Sequence, residues 1–193
     1  AKELAKEMNY RPNPFAMSLR KNAPRIIGVI VPDIVTHFFA SILNGIENMA
    51  IANGYFVIIT TSHESYEHEK RNVENLVNMR VEGIIACLSQ ETTDYSHFAA
   101  LKDINMPLIL FDRVCLTEQF SSVVADGGQS AQMATQHLLD NGSKRVAFIG
   151  GANHLDIVKK RKHGYLEALR DNRIPIEKEL VVCRKIDYEE GKI

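Results

Sequence analysis

Several features that would set a protein apart from the ordinary globular class are missing from this sequence. The 193-residue chain has only three cysteines, Cys87, Cys115 and Cys183, and their spacing matches neither a metal site nor a redox motif. An odd number of unpatterned cysteines is typical of a reducing, cytoplasmic compartment. No apolar run reaches the roughly 18 residues of a membrane span, and no secretory leader is recognisable. These absences favour a cytoplasmic protein without membrane contact.

What the sequence does contain is an unevenly distributed charge. The composition is 45% hydrophobic and 24% charged with a net charge of −1, which is ordinary for a globular protein. Residues 1–25 nevertheless carry six basic and two acidic side chains, a net charge of +4, whereas the rest of the chain carries −5. A basic arm on an acidic body indicates contact with nucleic acid, although a solvated, mobile terminus would have the same charge.

After Pro24 the sequence alternates between strand and helix patterns. Residues 25–32 (RIIGVIVP) form a continuous apolar run, as expected of a parallel strand covered on both faces. Residues 37–53 repeat apolar side chains at helical spacing, and Gly54 follows where a C-terminal glycine belongs. The alternation predicts a doubly wound α/β fold of parallel sheets. Further strands are predicted at 55–61, 83–88, 107–113, 123–126, 145–150 and 180–183, and further helices at 66–80, 94–104, 128–141 and 157–172.

One step in this alternation is irregular. The predicted strands 107–113 and 123–126 have no helix between them, so the chain can pass there from one α/β unit to the next. We place a subdomain boundary near Gly127, which separates an N-terminal core subdomain (25–126) from a second one (127–193). The second subdomain has too few βα repeats for a closed sheet, and we therefore expect an artificial stop at the C-terminus.

The basic arm contains a short helix-forming segment. Asn13 suits an N-cap and Pro14 the first helical position. Asn22 and Pro24 would end the helix after about eight residues. Isolated helices shorter than about 12–15 residues are marginal in water. We therefore expect this segment to fold when a partner binds it.

Five segments carry a family resemblance: YRPNPFAMSLRKN (10–22), IIGVIVPDIVTHFF (26–39), VEGIIACLS (81–89), FDR (111–113) and HLLDNGSKRVAFIGG (137–151). Together they resemble the lactose-repressor (LacI/GalR) family of bacterial transcription regulators. The resemblance implies a periplasmic-binding-protein-like (type I) core with two subdomains, the second incomplete. It also implies that residues 1–10 are the end of a helix-turn-helix headpiece and residues 11–24 a hinge helix and linker.

By this resemblance the hinge segment contacts operator DNA. Leu19 corresponds to the leucine that two hinge helices wedge into the minor groove, where it partly unstacks a base step. Arg20 and Lys21 would meet phosphates, and the small Ala16 and Ser18 would allow close approach. The predicted hinge contacts are Asn13, Ala16, Met17, Ser18, Leu19, Arg20 and Lys21.

The predicted ligand cleft lies beyond the carboxyl ends of the strands, where open α/β sheets bind their ligands. The segments there mix aromatic, acidic, hydroxyl and basic side chains, which suits a sugar-like or nucleoside-like effector. By the resemblance, the paired phenylalanines, Asp112 and Arg161 fall at ligand-contacting positions. The predicted effector-binding residues are His37, Phe38, Phe39, Ser89, Asp112, Asp126 and Arg161.

Several of these positions have a purely structural alternative. One of the two phenylalanines is expected to lie in the core. Asp112 can cap a loop, Asp126 can cap the helix that follows it, and Arg161 can be a solvated charge among neighbouring lysines.

Signatures of enzymes are weak in this sequence. His63 and His68 lie five residues apart, whereas a helical zinc pair needs a spacing of four. There is no G-x-S-x-G elbow, no P-loop and no G-x-G-x-x-G motif. Cys87 and Cys183 lie in apolar strands and are expected to be inert. We predict no enzymatic activity, no cofactor and no metal.

The sequence as a whole favours a ligand-responsive DNA-binding regulator, most simply a repressor. It would act as a homodimer on a near-palindromic operator and bind a small-molecule effector in its core. The alternative is a transport-type solute-binding protein of the same fold. Such a protein would need an export signal and no hinge helix, and residues 1–24 argue the reverse.

Overall fold

The computed structural model describes residues 25–185, in which strands and helices alternate along the chain. The predicted doubly wound α/β fold is confirmed. The strands are β1 (Ile26–Val31), β2 (Phe56–Thr61), β3 (Gly83–Ala86), β4 (Leu108–Phe111), β5 (Ser121–Val123), β6 (Phe148–Gly150) and β7 (Val181–Cys183). The helices are α1 (His37–Ala52), α2 (Tyr66–Asn78), α3 (Ser96–Asp103), α4 (Gly127–Asp140) and α5 (Asp156–Asp171), and a 3₁₀ turn spans Lys178–Leu180.

The first five strands form one parallel sheet in the order β2-β1-β3-β4-β5. The register along β1 runs from Ile26 beside Phe56 to Val31 beside Thr61. Because every strand runs in the same direction, the carboxyl ends of all five meet at one edge of the sheet. This edge is where the sequence places the ligand cleft.

Helices cover both faces of this sheet, and each face has its own core. On one face, alternate residues of β1, β3 and β4 pack with α2 and α3, including the fully buried Leu76 and Phe98. On the other face, Val29 and Val31 of β1 pack with Phe39 of α1. Burial on both faces is the reason why these strands have continuous apolar runs instead of alternating ones.

Strands β6 and β7 form a separate two-stranded parallel sheet, paired from Phe148 beside Val181 to Gly150 beside Cys183. Helix α5 packs on it through Tyr165, which is 2% exposed and donates its hydroxyl hydrogen to the Val146 carbonyl at 2.8 Å. The subdomain boundary that we expect between the two sheets stays a prediction.

Two helices end at glycines in the left-handed conformation. Gly54, with φ of +75°, follows α1, and Gly142, with φ of +90°, follows α4. Residues with a Cβ rarely adopt these angles, so the two glycines mark the helix ends where the sequence places them.

The largest difference from the predicted elements is at β5. The sequence predicts a strand at 123–126, but the structure has it at Ser121–Val123, with Ser121 beside Ile109. In this part of the chain β5 is one of the two edge strands of the sheet, and all three of its residues are exposed. An exposed edge strand of this kind needs no apolar run. The prediction followed the two valines at 123 and 124 and therefore placed the strand too late in the sequence.

The predicted headpiece remnant (1–10), the hinge helix (11–24) and the last eight residues lie outside the described part of the chain. Within residues 25–185, no helix combines the length and the apolar character that crossing a membrane requires.

Candidate functional site

Asp112 directly follows β4, at the edge where the carboxyl ends of the strands meet. Its φ of +56° lies in the left-handed region, which aspartate tolerates better than most residues. Its backbone N–H donates to the Val123 carbonyl at 3.1 Å, which ties the end of β4 to β5. Within residues 25–185 its carboxylate receives only a weak contact, from the Cys87 thiol at 4.0 Å. The carboxylate is therefore free to accept hydrogen bonds from a ligand.

The electrostatic surroundings of Asp112 also favour a ligand with hydrogen-bond donors. Burial raises the pKa of its carboxyl above the ordinary value, and the negative charge of Glu64 adds to this. The positive charges of Arg113 and Arg161 oppose the rise. A half-buried carboxylate without strong partners is stabilised by donors that arrive with a ligand.

Arg161 comes from α5, where its side chain is exposed, and its positive charge opposes the rise in the pKa of the Asp112 carboxyl. Its position depends on the contact between α5 and α4. A Cβ on Gly164 would collide with the carbonyl oxygen of Gly128, and one on Gly127 would lie 3.2 Å from the Arg161 side chain. Glycine at these positions thus allows the two helices to approach closely.

The aromatic pair at the start of α1 divides between core and surface. Phe39 is 6% exposed and packs edge-to-face on Phe111, with ring centroids 6.4 Å apart. Phe38 is 51% exposed, and its ring centroid lies 5.2 Å from that of Phe39. His37 is exposed, with its Nδ1 atom 3.5 Å from the Ser41 hydroxyl. Phe39 therefore has the core role expected for one of the pair, and Phe38 offers an exposed ring.

Two other predicted effector contacts have structural partners instead. Ser89 is completely buried, and its hydroxyl donates to the Ser62 hydroxyl at 2.8 Å. Asp126 is the N-cap of α4, and its side chain accepts the Gln129 N–H at 2.9 Å. Ser89 has no exposed surface to offer a ligand, and Asp126 has the capping role that the sequence left open. We do not include either residue in the site proposed below.

Glu69 of α2 is the centre of a buried polar cluster that the sequence analysis did not single out. This fully buried carboxylate accepts the Ser89 N–H at 2.6 Å and the Thr92 hydroxyl at 2.7 Å. Its Oε1 atom also lies 3.0 Å from His97 Nε2 on α3. The cluster links the segment after β3 to helices α2 and α3. This segment borders the edge of the sheet where the ligand cleft is predicted. No sequence signal marks the cluster, since its members are 20 to 28 residues from Glu69.

A second unpredicted feature is the ion pair between Glu64 and Arg113. Arg113 Nη1 donates to both carboxylate oxygens of Glu64, at 3.0 and 2.7 Å, and to the Leu88 carbonyl at 3.2 Å. Glu64 also accepts the Gln90 N–H at 2.7 Å. Glu64 lies three residues after the predicted strand 55–61 and Arg113 is the last residue of the predicted strand 107–113. Neither their pairing nor its geometry could be inferred from these positions.

Two buried cysteines and the histidine pair considered from the sequence also lie in the described chain. Burial raises the pKa of the Cys87 and Cys115 thiols to about 12, so that neither is a thiolate at neutral pH. The rings of His63 and His68 lie 6.1 Å apart at their centroids. Residues 25–185 contain no group of three or more side chains placed to hold a metal ion.

Comparison with known proteins gives the same architecture. The family model described as "Periplasmic binding proteins and sugar binding domain of LacI family" matches residues 25–192. The chain is 32% identical to catabolite control protein A of Priestia megaterium, over 98% of this chain and 57% of that protein.

Two solved structures have the same fold. The transcription regulator CcpA of Lactococcus lactis superimposes with a TM-score of 0.79 at 29% identity, over 86% of this chain and 61% of that one. A periplasmic binding protein/LacI transcriptional regulator from Alkaliphilus metalliredigens QYMF, complexed with D-xylulofuranose, gives a TM-score of 0.74 at 26% identity, over 85% of this chain and 58% of that one.

The chain thus spans little more than half the length of the relatives that it matches. The family model, in contrast, covers nearly all of it, including every strand and helix that forms the ligand edge. The chain therefore belongs to the family of periplasmic binding proteins and LacI-family sugar-binding domains.

Proposed function

We propose that the core of this protein binds a small sugar-like or nucleoside-like effector between Asp112 and Arg161. The observation that carries this proposal is the half-buried Asp112 carboxylate, which lacks a strong partner and lies within the electrostatic reach of Arg161. A carboxylate and a guanidinium can bind hydroxyl groups through paired, charge-assisted hydrogen bonds. Phe38 offers an exposed ring on which the apolar face of a sugar or base can pack, with His37 beside it.

The sugar class is supported by the relative from Alkaliphilus metalliredigens, which was crystallised with D-xylulofuranose. That protein is 26% identical to this chain and shares its fold. The identity is too low to transfer the individual sugar. The proposal therefore names a class of polyhydroxylated metabolite and no single compound.

We further propose that the whole protein is a cytoplasmic transcription repressor that acts as a homodimer on operator DNA. The relatives named above are a control protein and transcription regulators, which favours this function over a transport-type solute-binding protein. In this proposal residues 11–24 are the hinge that contacts DNA, with Leu19 as the minor-groove wedge and Arg20 and Lys21 on phosphates.

The effector would control DNA binding by favouring one arrangement of the two halves of its cleft. Asp112 follows the five-stranded sheet, whereas Arg161 belongs to the helix packed on the two-stranded sheet. A ligand held by both residues interacts differently with open and closed arrangements. It shifts the equilibrium between them by the difference between its affinities for the two states.

The effector site is tested by thermal denaturation with a panel of monosaccharides, sugar phosphates and nucleosides. We expect at least one compound to raise the melting temperature of the protein, because a ligand that binds only the folded state stabilises it. Arg161→Ala should abolish that shift. Lys159→Ala removes an exposed cation from the same helix and should retain it. A panel without any shift, or a full shift in Arg161→Ala, would contradict the proposed site.

The hinge is tested by Leu19→Ala in the full-length regulator. We expect weaker binding to operator DNA, measured by fluorescence anisotropy, and an unchanged melting-temperature shift with the effector found above. Loss of the wedge removes a contact that offsets the cost of unstacking, so the affinity for DNA should fall. Unchanged affinity for the operator would contradict the proposed role of Leu19.

A further inference from the structure

Arg113 follows Asp112 in the sequence, but its guanidinium makes its hydrogen bonds to other residues. Arg113 Nη1 makes three hydrogen bonds, two to Glu64 and one to the Leu88 carbonyl, at 2.7 to 3.2 Å. Its side chain is 16% exposed and that of Glu64 is 25% exposed, so the pair is largely withdrawn from water. Charge-assisted hydrogen bonds in such surroundings are stronger than those of a surface pair.

This pair also joins three of the loops that follow the strands at the ligand edge, those after β2, β3 and β4. Glu64 lies after β2, and it accepts the N–H of Gln90, which lies after β3. Arg113 lies after β4 and binds the carbonyl of Leu88. A single ion pair thus links the loops after β2 and β3 to the residue that follows Asp112.

Besides Glu64, the carboxylate whose charge acts on Arg113 is that of Asp112, the residue before it. Asp112 is half-buried and has only a weak thiol contact, and the charge of Arg113 already acts on its carboxyl. A largely buried guanidinium that loses its counter-ion pairs with the next available carboxylate, because an uncompensated buried charge is costly. The Asp112 carboxylate would then be paired with Arg113 and would no longer be open to a ligand.

We propose that Glu64 and Arg113 form a positioning pair: Glu64 holds the Arg113 guanidinium away from Asp112 and so keeps the Asp112 carboxylate open to an effector. The inference rests on the proposed function of Asp112, since it assigns a reason for keeping that carboxylate free. Neither residue of the pair needs to touch the effector. Their role is to decide whether Asp112 is available to it.

The test is a double-mutant cycle on the titration of Asp112, followed by carboxyl ¹³C NMR without any effector. The four proteins are the full 193-residue chain, Glu64→Gln, Arg113→Gln and the double variant, and the Asp112 signal is identified by its absence from Asp112→Asn. In Glu64→Gln the released guanidinium should pair with Asp112 and lower its midpoint by about 1–3 pH units. In the double variant the midpoint should return to at least that of the parent protein.

Pairing of Arg113 with Asp112 in Glu64→Gln would appear as a non-additive effect of the two substitutions on the Asp112 midpoint. Arg113→Gln should change the Asp112 midpoint far more in the Glu64→Gln background than in the parent, because only there does Arg113 bind Asp112. Charges that act only through space would give effects of Arg113→Gln that agree in the two backgrounds to within a few tenths of a pH unit. That additive result, or a midpoint that stays low in the double variant, would overturn the proposal.

Two further features keep the test decisive. If Glu64→Gln does not give a folded amide spectrum, Glu64→Asp takes its place in the cycle. This change keeps the charge but shortens the side chain by one methylene, so that it cannot hold Arg113 and the Gln90 N–H together. A lowered Asp112 midpoint that Arg113→Gln reverses supports the proposal in that background too, and an unchanged midpoint overturns it. Because no effector is present, failure of this cycle is distinct from failure of the metabolite panel.

Discussion

The two halves of the cleft are held in place by different physical means. In the first half, Asp112 lies among loops that are fixed by carboxylates: Glu69 binds the segment after β3, and Glu64 binds Arg113 and Gln90. In the second half, Arg161 lies on a helix that is positioned by a close contact between Gly164 and Gly128. The first half depends on hydrogen bonds between buried polar groups, and the second on the absence of a side chain.

Because their supports differ, Asp112 and Arg161 should respond to different mutations. Changes of charge should disturb the Asp112 half, whereas changes of volume should disturb the Arg161 half.

The largest effect is expected for Gly164→Ala in the second half. Its new methyl group would collide with the backbone carbonyl of Gly128, which cannot move aside like a flexible side chain. We expect the free energy of unfolding to fall by about 3 kcal/mol or more, the range seen for severe overpacking. Urea denaturation followed by circular dichroism measures the loss.

Gly45→Ala is the matched control for this change. Gly45 lies within α1, and a Cβ there would meet no atom within 4 Å. Alanine is the better helix former, so the free energy of unfolding should rise by about 0.5–1 kcal/mol. If both glycine variants lost stability equally, the close contact of α4 with α5 would not be what positions the second half.

The next effect is expected for Glu69→Ala in the first half. The change leaves the Ser89 N–H and the Thr92 hydroxyl without their acceptor in a buried site. We expect the free energy of unfolding to fall by about 2–4 kcal/mol, since several buried donors lose their partner together. The measurement is again urea denaturation.

Glu67→Ala removes an exposed carboxylate from the first turn of the same helix and is the control. It should change the free energy of unfolding by no more than about 0.5 kcal/mol, as is usual at the surface. Equal losses in the two glutamate variants would mean that helix α2 itself is the sensitive element and that the buried cluster is not.

The smallest effect is expected for Asp112→Asn, and it has the opposite sign. Burial raises the pKa of Asp112 in the folded protein, so the folded state binds its proton more tightly than the unfolded state does. The favourable contribution of this group is fully present below its unfolded pKa and is lost as the pH rises through its folded pKa. Asparagine carries no such penalty and also tolerates a positive φ.

Asp112→Asn should therefore be more stable than the parent protein at pH 7, because burial raises the pKa of the Asp112 carboxyl and so penalises its charged form. The advantage should vanish below about pH 4, where Asp112 is protonated in both states. Melting temperatures of the two proteins between pH 3 and pH 8 measure this difference. A constant gap across that range would contradict the assignment of burial as the cause.

Much of the fold could be predicted from the sequence, because parallel strands covered on both faces need apolar runs that are visible locally. The runs at β1, β3 and β4 and the glycines after α1 and α4 placed most elements to within a few residues. The exception was β5, an exposed edge strand with two serines. Its pairing depends on its neighbour β4 and leaves no pattern in its own residues.

The site was harder to predict, because its partners are distant along the chain. Asp112 and Arg161 were predicted through family motifs, and their role as ligand anchors stays a prediction, although the charge of Arg161 acts on the Asp112 carboxyl. The pairing of Glu64 with Arg113 spans 49 residues, and no local signal predicts it. The burial of Ser89 was also not visible in the sequence, since the carboxylate that binds its N–H lies 20 residues earlier. The position of a residue after a strand predicts that it lies near the proposed cleft. It does not predict whether its side chain already has a hydrogen-bond partner in the protein.

The most direct test of this account is the response of Asp112→Asn to the metabolite panel, scored by thermal shift. The account holds that Asp112 is kept free of strong protein partners so that it can bind an effector. It predicts a variant that is at least as stable as the parent protein at pH 7 but shows no shift with the compound that stabilises the parent. A full shift in this stable variant would contradict the central claim.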